Sequence, residues 1–445
     1  MQTPICDFVK NYVQSNALRL HMPGHKGKQL LGMELYDITE IDGADSLYEA
    51  NGIIMESERN AGTLFHANTF YSTEGSSLSI RAMLYLAVLN ARNKGKKPLI
   101  AAGRNVHKVF VSSAALLDFD ILWLHSASES YLSCPLTAQE LEQQLSAAKE
   151  KPTAVYLTCP DYLGTMIDIR AIADVCHQND VLLLVDNAHG AYLKFLPESL
   201  HPMDLGADLC CDSAHKTLPV LTGGSYLHIA KDAPKFLTEQ AKHALALFGS
   251  TSPSYLILQS LDRVNAYLWD GYQEKLSVFV QAVQEWKQRI LAHGYTLTDT
   301  EPLKLTILTK DYGYEGKEFA KLLEKENIIC EFADSDFVVL MLTPETGELG
   351  LKQVENALYA IKREPPIPTK PPKIGMPERV MSIREAMFSP CETVSADACI
   401  GRVLATANVG CPPAVPILVS GERVDAQTME AFAYYGMESC CVVIE

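Results

Sequence analysis

The sequence predicts an α/β protein whose large domain contains a mainly parallel β-sheet covered by helices on both faces. Two observations lead to this fold class. Short, wholly apolar strands alternate with amphipathic helices between about residues 64 and 230, and parallel strands buried on both faces have this continuous apolar character. Polar side chains follow several of these strands, and open α/β sheets bind their ligands at the carboxyl ends of strands.

Helix and strand signals follow one another in order through this region. The first predicted helix is Ser77–Asn93. Thr137 and Glu140 form a capping box that opens a helix reaching about Lys149. The other predicted elements are the strand Pro98–Ala102, a helix after Asn105, the strands Ile121–Leu124 and Ala154–Thr158, the helix Ile169–Gln178 and the strand ending at Asp186.

The second half of the chain predicts long helices and two smaller modules. A helical stretch covers Ser254–His293, with an interruption near Trp269–Tyr272. Strand, helix, strand, strand and helix then follow at Lys304–Leu308, Gly316–Lys325, Ile328–Ala333, Phe337–Leu342 and Leu351–Lys362. A stiff proline-rich connector separates them from a last module, in which Ile417–Val419 is strand-like. We therefore expect an irregular N-terminal arm at 1–60, a major domain at 61–300, a small α+β domain at 301–364 and a C-terminal module at 373–445.

Composition excludes several classes of protein. The 445 residues are 47% apolar, which suffices for a large core, and the net charge of −16 argues against a nucleic-acid-binding surface. None of the 12 cysteines falls into a CxxC or Cys/His metal-ligand spacing, so we expect reduced cysteines and no metal. The N-terminus lacks signal-peptide features, and no apolar run approaches the about 20 residues of a membrane span. These features predict a cytoplasmic enzyme.

The strongest functional signal is a carboxylate followed by a lysine in the α/β region. Asp186 ends a pure hydrocarbon run, and Lys216 closes the segment Ser213-Ala-His-Lys216. The pair suits pyridoxal 5′-phosphate (PLP), because a lysine forms its Schiff base and a buried aspartate keeps its pyridine nitrogen protonated. Either feature alone is common, as a solvated lysine or as a strand that happens to end in aspartate.

Three segments offer hydroxyls and backbone amides to a cofactor phosphate. Thr73-Glu-Gly-Ser-Ser77 precedes a helix, whose dipole favours an anion, although an ordinary serine N-cap would look the same. Ser213 and the segment Ser250-Thr-Ser-Pro253 are the other two. His107 follows a predicted strand and can lie flat on a pyridine ring, and His189 can flank the ring or the substrate. These spacings leave transamination, decarboxylation and elimination open.

The motifs resemble the Orn/Lys/Arg decarboxylase family of fold-type I PLP enzymes over nearly the whole chain. They are Met22-Pro-Gly-His-Lys-Gly27, Glu40-Ile-Asp-Gly-Ala-Asp45, Arg104-Asn-Val-His-Lys108, Val185-Asp-Asn-Ala-His189, Ser213-Ala-His-Lys216, Ser250-Thr-Ser-Pro253 and the stretch from Pro412 to Glu422. The resemblance implies an aspartate aminotransferase-like large domain with a mainly parallel seven-stranded sheet, and small α+β domains at the C-terminus. It also implies decarboxylation of arginine, lysine or ornithine through a Schiff base and a quinonoid, for polyamine biosynthesis.

The resemblance also implies a role for each matching residue. His215 would contact the substrate carboxylate region and assist protonation. The catalytic residues would be Lys216, His215, Asp186 and His107. The cofactor would be held by Ser76, Ser77, His107, Asp186, His189, Ser213 and Lys216, with Thr251 or Ser252 from the partner subunit. The substrate would be bound by Glu422, Asp42, Asp45 and His25, of which Glu422 resembles a carboxylate placed for a distal cation.

Three departures from the family pattern qualify these roles. The phosphate loop reads Thr-Glu-Gly-Ser-Ser where many relatives have Asn-Gly-Thr/Ser, which makes Ser76 a weaker candidate than Ser77. His189 stands where large inducible members carry Trp, and Pro-Pro-Ala-Val-Pro replaces the commoner Pro-Pro-Gly-Ile-Pro. The chain is also too short for the receiver-like wing of those members, so a homodimer is expected rather than a decamer.

Two other functions compete with decarboxylation. An aminotransferase would want an arginine for the substrate carboxylate, and we expect none at the end of a strand. A catalytically silent regulatory homologue is disfavoured because Lys216, Asp186 and His107 are all present. Arginine, lysine and ornithine differ by a methylene or a guanidinium, a difference that only pocket geometry can distinguish.

Overall fold

The computed structural model describes residues 1–126, 130–407 and 413–444. The chain forms two compact units, each assembled from several stretches. The first unit contains residues 1–96, 153–156 and 169–277, and the second contains residues 97–152, 157–168 and 278–445. Pro412, which begins the C-terminal signature, lies outside the described residues.

Seven strands form the large sheet, in the order β1-β7-β6-β5-β4-β2-β3. They are β1 (Asn68–Ser72), β2 (Leu99–Gly103), β3 (Asp120–Leu124), β4 (Ala154–Thr158), β5 (Leu182–Asp186), β6 (Leu209–Asp212) and β7 (Ser225–Ile229). The pairs β2–β3 and β5–β6 are parallel, whereas β7 runs antiparallel to both β6 and β1. The prediction of a mainly parallel seven-stranded sheet is confirmed.

Two smaller sheets belong to the second unit. The strands are β8 (Lys304–Leu308), β9 (Phe332–Ala333), β10 (Phe337–Met341), β11 (Cys391–Ser395) and β12 (Ser439–Val443). The first sheet has the order β8-β10-β9, and β11 pairs with β12; all these pairs are antiparallel. They account for the α+β character predicted for the C-terminal part of the chain.

Helices alternate with strands between about residues 64 and 230 as predicted, whereas the helices Pro4–Gln14, Lys235–Ala246 and Ala426–Tyr435 were not predicted. The α-helices are α1 (Pro4–Gln14), α2 (Ile53–Phe65), α3 (Gly75–Asn93), α4 (Lys108–Leu117), α5 (Ala138–Ala147), α6 (Ile169–Gln178), α7 (Ala214–Thr217), α8 (Lys235–Ala246), α9 (Tyr255–Trp269), α10 (Tyr272–His293), α11 (Gly316–Lys325), α12 (Gly347–Ala360), α13 (Ile383–Phe388) and α14 (Ala426–Tyr435). The capping box of Thr137 and Glu140 forms at the start of α5. In the first unit, α3 packs on β6 and β7, and α6 packs on β5.

Three details of the sequence prediction are wrong. The N-terminal arm is not irregular throughout, because α1 buries Ile5 and Val9, one turn apart, beside α2 and α9. The strand expected at Ile328–Ala333 is reduced to the two residues of β9, and Ile329 is 79% exposed. Residues 417–419 form no strand, although all three are buried. The apolar residues of this segment indicated correctly that it is buried, but they did not indicate whether it pairs with another strand.

No helix within the described ranges is long and apolar enough to cross a membrane.

Candidate active site

Asp186 occupies a buried position at the carboxyl end of β5 in the first unit. Its Oδ2 accepts a hydrogen bond of 2.9 Å from the Tyr156 hydroxyl, and its Oδ1 accepts one of 3.2 Å from the Ala188 backbone N–H. Burial raises the pKa of this carboxyl group, and the Tyr156 hydrogen bond and the Lys216 charge act in the opposite direction. A cation beside Asp186 would stabilise the charged form that burial disfavours.

Lys216 lies one strand away from Asp186, in the short helix α7 that follows β6. Because β5 and β6 are parallel neighbours with Asp186 opposite Cys211, their carboxyl ends lie side by side. The Lys216 Nζ is 2.8 Å from Nε2 of His189, which follows β5. The structure therefore brings together the predicted lysine and the predicted ring-flanking histidine.

The predicted phosphate hydroxyls also meet in the first unit. The Ser213 hydroxyl donates a hydrogen bond of 2.8 Å to Ser76 Oγ, and Ser77 lies in the same first turn of α3. That turn carries no acidic side chain. Gly75 has a φ of 69°, in the left-handed region that glycine adopts without strain. These hydroxyls and the helix N-terminus form a site suited to a phosphate dianion.

His215 precedes Lys216 and is held by the loop before β7. Its Nδ1 donates a hydrogen bond of 2.9 Å to the Gly224 carbonyl oxygen, which can only accept. Burial lowers the pKa of this imidazole; the hydrogen bond to Gly224 acts in the opposite direction, and the Lys216 charge lowers the pKa further. The lowered pKa favours the neutral ring, in which Nδ1 carries the proton and Nε2 does not.

Thr251 and Ser252, predicted to serve a partner subunit, are exposed in a segment between α8 and α9. The neighbouring Ser250 backbone N–H donates a hydrogen bond of 2.6 Å to a carboxylate oxygen of Glu74, in the predicted phosphate loop. The segment thus lies beside that loop within the first unit.

His107 belongs to the second unit, where it is the N-cap residue of α4. Its Nδ1 accepts a hydrogen bond of 3.2 Å from the Val109 backbone N–H.

Arg104 directly follows β2, so the expectation that no arginine stands at a strand end is wrong. Its guanidinium forms a two-bond ion pair with Glu422, at 2.8 and 2.7 Å.

The four predicted substrate-binding residues differ in how they are engaged. Asp45 is buried, and its carboxylate accepts backbone N–H groups around the start of α2, including those of Gly52 and Ile54. His25 pairs with Asp37 at 3.2 Å. Asp42 is exposed. The carboxylate of Glu422 is engaged by Arg104, as described above.

The donor set fits PLP. A buried carboxylate with a raised pKa suits a protonated pyridine nitrogen, the α3 N-terminus with its serines suits a phosphate, and the Lys216 amine lies at the end of the neighbouring strand. This combination is distributed over three neighbouring elements of one unit.

Comparison with protein families agrees with this chemistry. The major domain of Orn/Lys/Arg decarboxylases matches residues 3–300, and the C-terminal domain of the same family matches residues 372–440. The chain belongs to the Orn/Lys/Arg decarboxylase family. The prediction of a PLP-dependent decarboxylase of this family is confirmed, and the family implies PLP as the cofactor.

Relatives of this decarboxylase family member cover nearly its full length. A Bacillus subtilis protein, the uncharacterized YaaO, is 29% identical over 97% of this chain and 93% of its own. An arginine decarboxylase of Halalkalibacterium halodurans is 28% identical over 95% of this chain and 91% of its own. The solved structure of lysine decarboxylase A from Pseudomonas aeruginosa aligns with a TM-score of 0.80 at 16% identity, covering 99% of this chain and 80% of that one. The fold-type I prediction is confirmed.

The sequence reasoning on this family member missed a buried polar network under the site. Asp212 is fully buried, and its Oδ2 accepts hydrogen bonds from Nε2 of His201 at 3.0 Å and of His228 at 3.1 Å. Its Oδ1 accepts one of 2.7 Å from the side-chain amide of Asn187, next to Asp186. Asp212 ends the apolar strand β6 and immediately precedes Ser213. This polar residue at a strand end was the sequence signal that could have revealed the network.

Three residues in and around this buried network have donor atoms close enough together to bind a metal ion. Donor atoms of His201, Cys210 and Asp212 lie within 4.8 Å of one another. However, both oxygens of Asp212 already accept hydrogen bonds, and the His201 Nε2 atom donates to one of them. Hydrogen bonding accounts for this arrangement.

Tyr156 is the second residue that the sequence reasoning missed. It lies within β4 and looks like an ordinary apolar strand position. Its hydroxyl reaches Asp186 on another strand of the sheet, and strand order is not readable from a local pattern.

Proposed function

We propose that this protein decarboxylates a basic L-amino acid, arginine, lysine or ornithine, with PLP bound at Lys216. The observation that carries the proposal is the meeting of Lys216 and His189, at 2.8 Å, at the same edge of the sheet as the buried Asp186. The family of the chain supports decarboxylation, and the arginine decarboxylases among its relatives support a basic substrate.

Each residue of the site has a proposed task toward the cofactor. When bound, PLP accepts the electrons of the bond between Cα and the departing carboxylate. Lys216 holds the cofactor, Asp186 keeps its pyridine nitrogen protonated, and His107 stacks on its ring. The phosphate would be held by Ser76, Ser77 and Ser213, and by Thr251 or Ser252 of the partner subunit.

The tautomer of His215 decides which group can supply the proton to Cα. Its Nδ1 proton is donated to the Gly224 carbonyl, and its Nε2 has none to give while the ring is neutral. Lys216 carries an amine that can hold a proton, and His189 Nε2 lies beside it. We therefore assign the protonation of Cα to Lys216 and contact with the substrate to His215.

The distal cation of the substrate requires a carboxylate in the pocket. Asp42 is the exposed carboxylate among the predicted residues, whereas Asp45 is occupied as a helix cap. We assign the distal cation to Asp42, and we keep His25, which pairs with Asp37, as a residue that contacts the substrate without binding its cation. Glu422 could take this task only by releasing Arg104.

We also propose that the protein is a cytoplasmic homodimer that acts in polyamine biosynthesis. The N-terminal segment carries large apolar side chains that are more than 80% exposed, namely Leu18, Leu20, Leu30 and Leu31. Exposed apolar surface of this kind is typical of a protein interface. Light scattering of the purified protein would give the mass of a dimer, and a monomer at micromolar concentration would contradict this part of the proposal.

The function is tested by an assay of purified, PLP-loaded protein against arginine, lysine and ornithine. We expect release of carbon dioxide and the corresponding amine from at least one of them, and loss of both products in Lys216→Ala. Loss of the visible absorbance of bound PLP in that variant would tie the activity to this lysine. Transamination of a keto acid at a rate exceeding decarboxylation would refute the proposal, as would wild-type protein that binds no PLP.

A further inference from the structure

Within the second unit, the guanidinium of Arg104 and the carboxylate of Glu422 form an ion pair that engages both groups. The guanidinium Nη1 and Nη2 atoms reach Oε1 and Oε2 at 2.8 and 2.7 Å, and Oε2 also accepts the Val419 backbone N–H at 2.9 Å. The carboxylate side chain is only 4% exposed. The guanidinium also lies over the Trp123 ring, 4.8 Å from its centre. Two parallel hydrogen bonds of this type fix orientation as well as distance.

A second contact joins the same two segments four residues further on. The Lys108 backbone N–H donates a hydrogen bond of 2.8 Å to the Ala414 carbonyl oxygen. Ala414 has a φ of 57°, in the left-handed region that glycine favours. The positive φ gives a physical reason for the glycine that the commoner Pro-Pro-Gly-Ile-Pro pattern carries here.

His107 lies between these two contacts. Only Asn105 and Val106 separate it from Arg104, and both are buried. At its other side, Lys108 is tied to Ala414. The loop that carries the imidazole is therefore held at both ends by residues 414–422 of the C-terminal module.

We propose that Glu422 is a positioning residue that acts through Arg104 to fix the loop carrying His107, the residue that the proposed function assigns to the cofactor ring. This inference rests on the proposed function. It replaces a direct contact between Glu422 and the distal cation of the substrate. A substrate cation could take this carboxylate only by leaving the Arg104 guanidinium, itself largely buried, without its partner.

The test is a coupling measurement on PLP affinity, made by titrating PLP into cofactor-free protein and following visible absorbance. Loss of one ring-stacking contact in His107→Ala should weaken binding by between about twofold and about twelvefold. We expect Glu422→Gln and Arg104→Met to weaken it within the same range. In a His107→Ala background, neither change should weaken it further, because the ring they position is gone.

A matched control is Glu378→Gln, which removes a carboxylate from an exposed ion pair with Arg423 in the same module. It should leave PLP affinity unchanged. Arg104→Lys, which keeps the charge but not the two-bond geometry, serves if Arg104→Met does not fold. It should reproduce the loss of affinity, because the geometry is what positions the loop.

Several results would overturn the inference. Additive effects of Glu422→Gln and His107→Ala would mean that Glu422 does not act through the imidazole. Unchanged PLP affinity with a raised KM for the basic substrate would assign Glu422 to the distal cation instead. If wild-type protein binds PLP and decarboxylates while the coupling is absent, only this inference fails. If wild-type protein binds no PLP, the proposed function fails with it.

Discussion

Replacing Asp212 by asparagine should destabilise the first unit strongly. Its carboxylate accepts four buried hydrogen bonds, from His201 at 3.0 Å, His228 at 3.1 Å, Asn187 at 2.7 Å and the Cys210 thiol at 3.7 Å. Asparagine has one oxygen and one NH2 group at this position. The NH2 group would therefore face an N–H donor, either from the histidines or from Asn187, and no hydrogen bond could form there. Breaking such a buried charged network costs about 3–5 kcal/mol, and we expect a loss of this size in the free energy of unfolding.

Urea unfolding of the cofactor-free protein, followed by circular dichroism, measures this loss. The matched control is Asp180→Asn, because Asp180 is 73% exposed and pairs with Lys94 at 2.8 Å. An exposed pair contributes at most about 1 kcal/mol. The reasoning is refuted if Asp212→Asn lowers the unfolding midpoint no more than this control does.

The same carboxylate predicts a dependence of stability on pH. Burial opposes its charge, but His201 and His228 together hold the pKa of Asp212 below its usual range. A depressed pKa contributes stability that is complete above the unfolded value of about 3.9 and is lost as the pH falls below it. Wild-type protein should therefore lose stability below about pH 4 more steeply than Asp212→Asn does. Parallel curves for the two proteins would contradict this assignment.

Three further results are expected. Tyr156→Phe removes the hydrogen bond to Asp186, so kcat should fall by about tenfold or more, and the acid limb of its pH profile should move upward as the pKa of Asp186 rises; an unchanged profile would contradict this role. Ala414→Gly relieves a positive φ and should raise the free energy of unfolding by about 0.5 kcal/mol, whereas a clear loss in a urea titration would show that the methyl group is needed. Treatment with a metal chelator should leave decarboxylation unchanged, and activity that is lost and then restored by zinc would assign a metal to His201 and its neighbours.

Local sequence patterns predicted the parts of the fold in which the buried residues also form a regular helix or strand. The strand Ala154–Thr158 and the helices Ile169–Gln178 and Gly316–Lys325 have the predicted bounds, because each is a regular apolar pattern closed by clear end signals. The segment 417–419 fails this rule, since its apolar residues are buried without pairing. The strand β6 was missed because Leu209–Asp212 is short and contains two cysteines.

The site divides in the same way between local and long-range information. Lys216 and Asp186 were predictable because their chemistry is read from a few consecutive residues. The partners of these and other site residues were not, since a hydrogen bond such as that of Arg104 to Glu422 joins residues 318 positions apart. Sequence reasoning predicted that Glu422 meets the distal cation of the substrate, and this role stays a prediction. The folded chain adds that the carboxylate pairs with Arg104.

His215 offers a last test of the proposal that Lys216, and not this imidazole, protonates Cα. Burial lowers its pKa, and the Nδ1 proton is held by the Gly224 carbonyl. Asparagine at this position keeps an N–H where Nδ1 stands, so His215→Asn preserves that hydrogen bond while removing Nε2. Loss of a general acid costs about 10²- to 10⁴-fold in rate. We expect kcat to fall by less than about 10²-fold and KM to rise, because the proposal assigns Nε2 to substrate contact. A larger fall in kcat at unchanged KM would transfer the proton donor from Lys216 to His215.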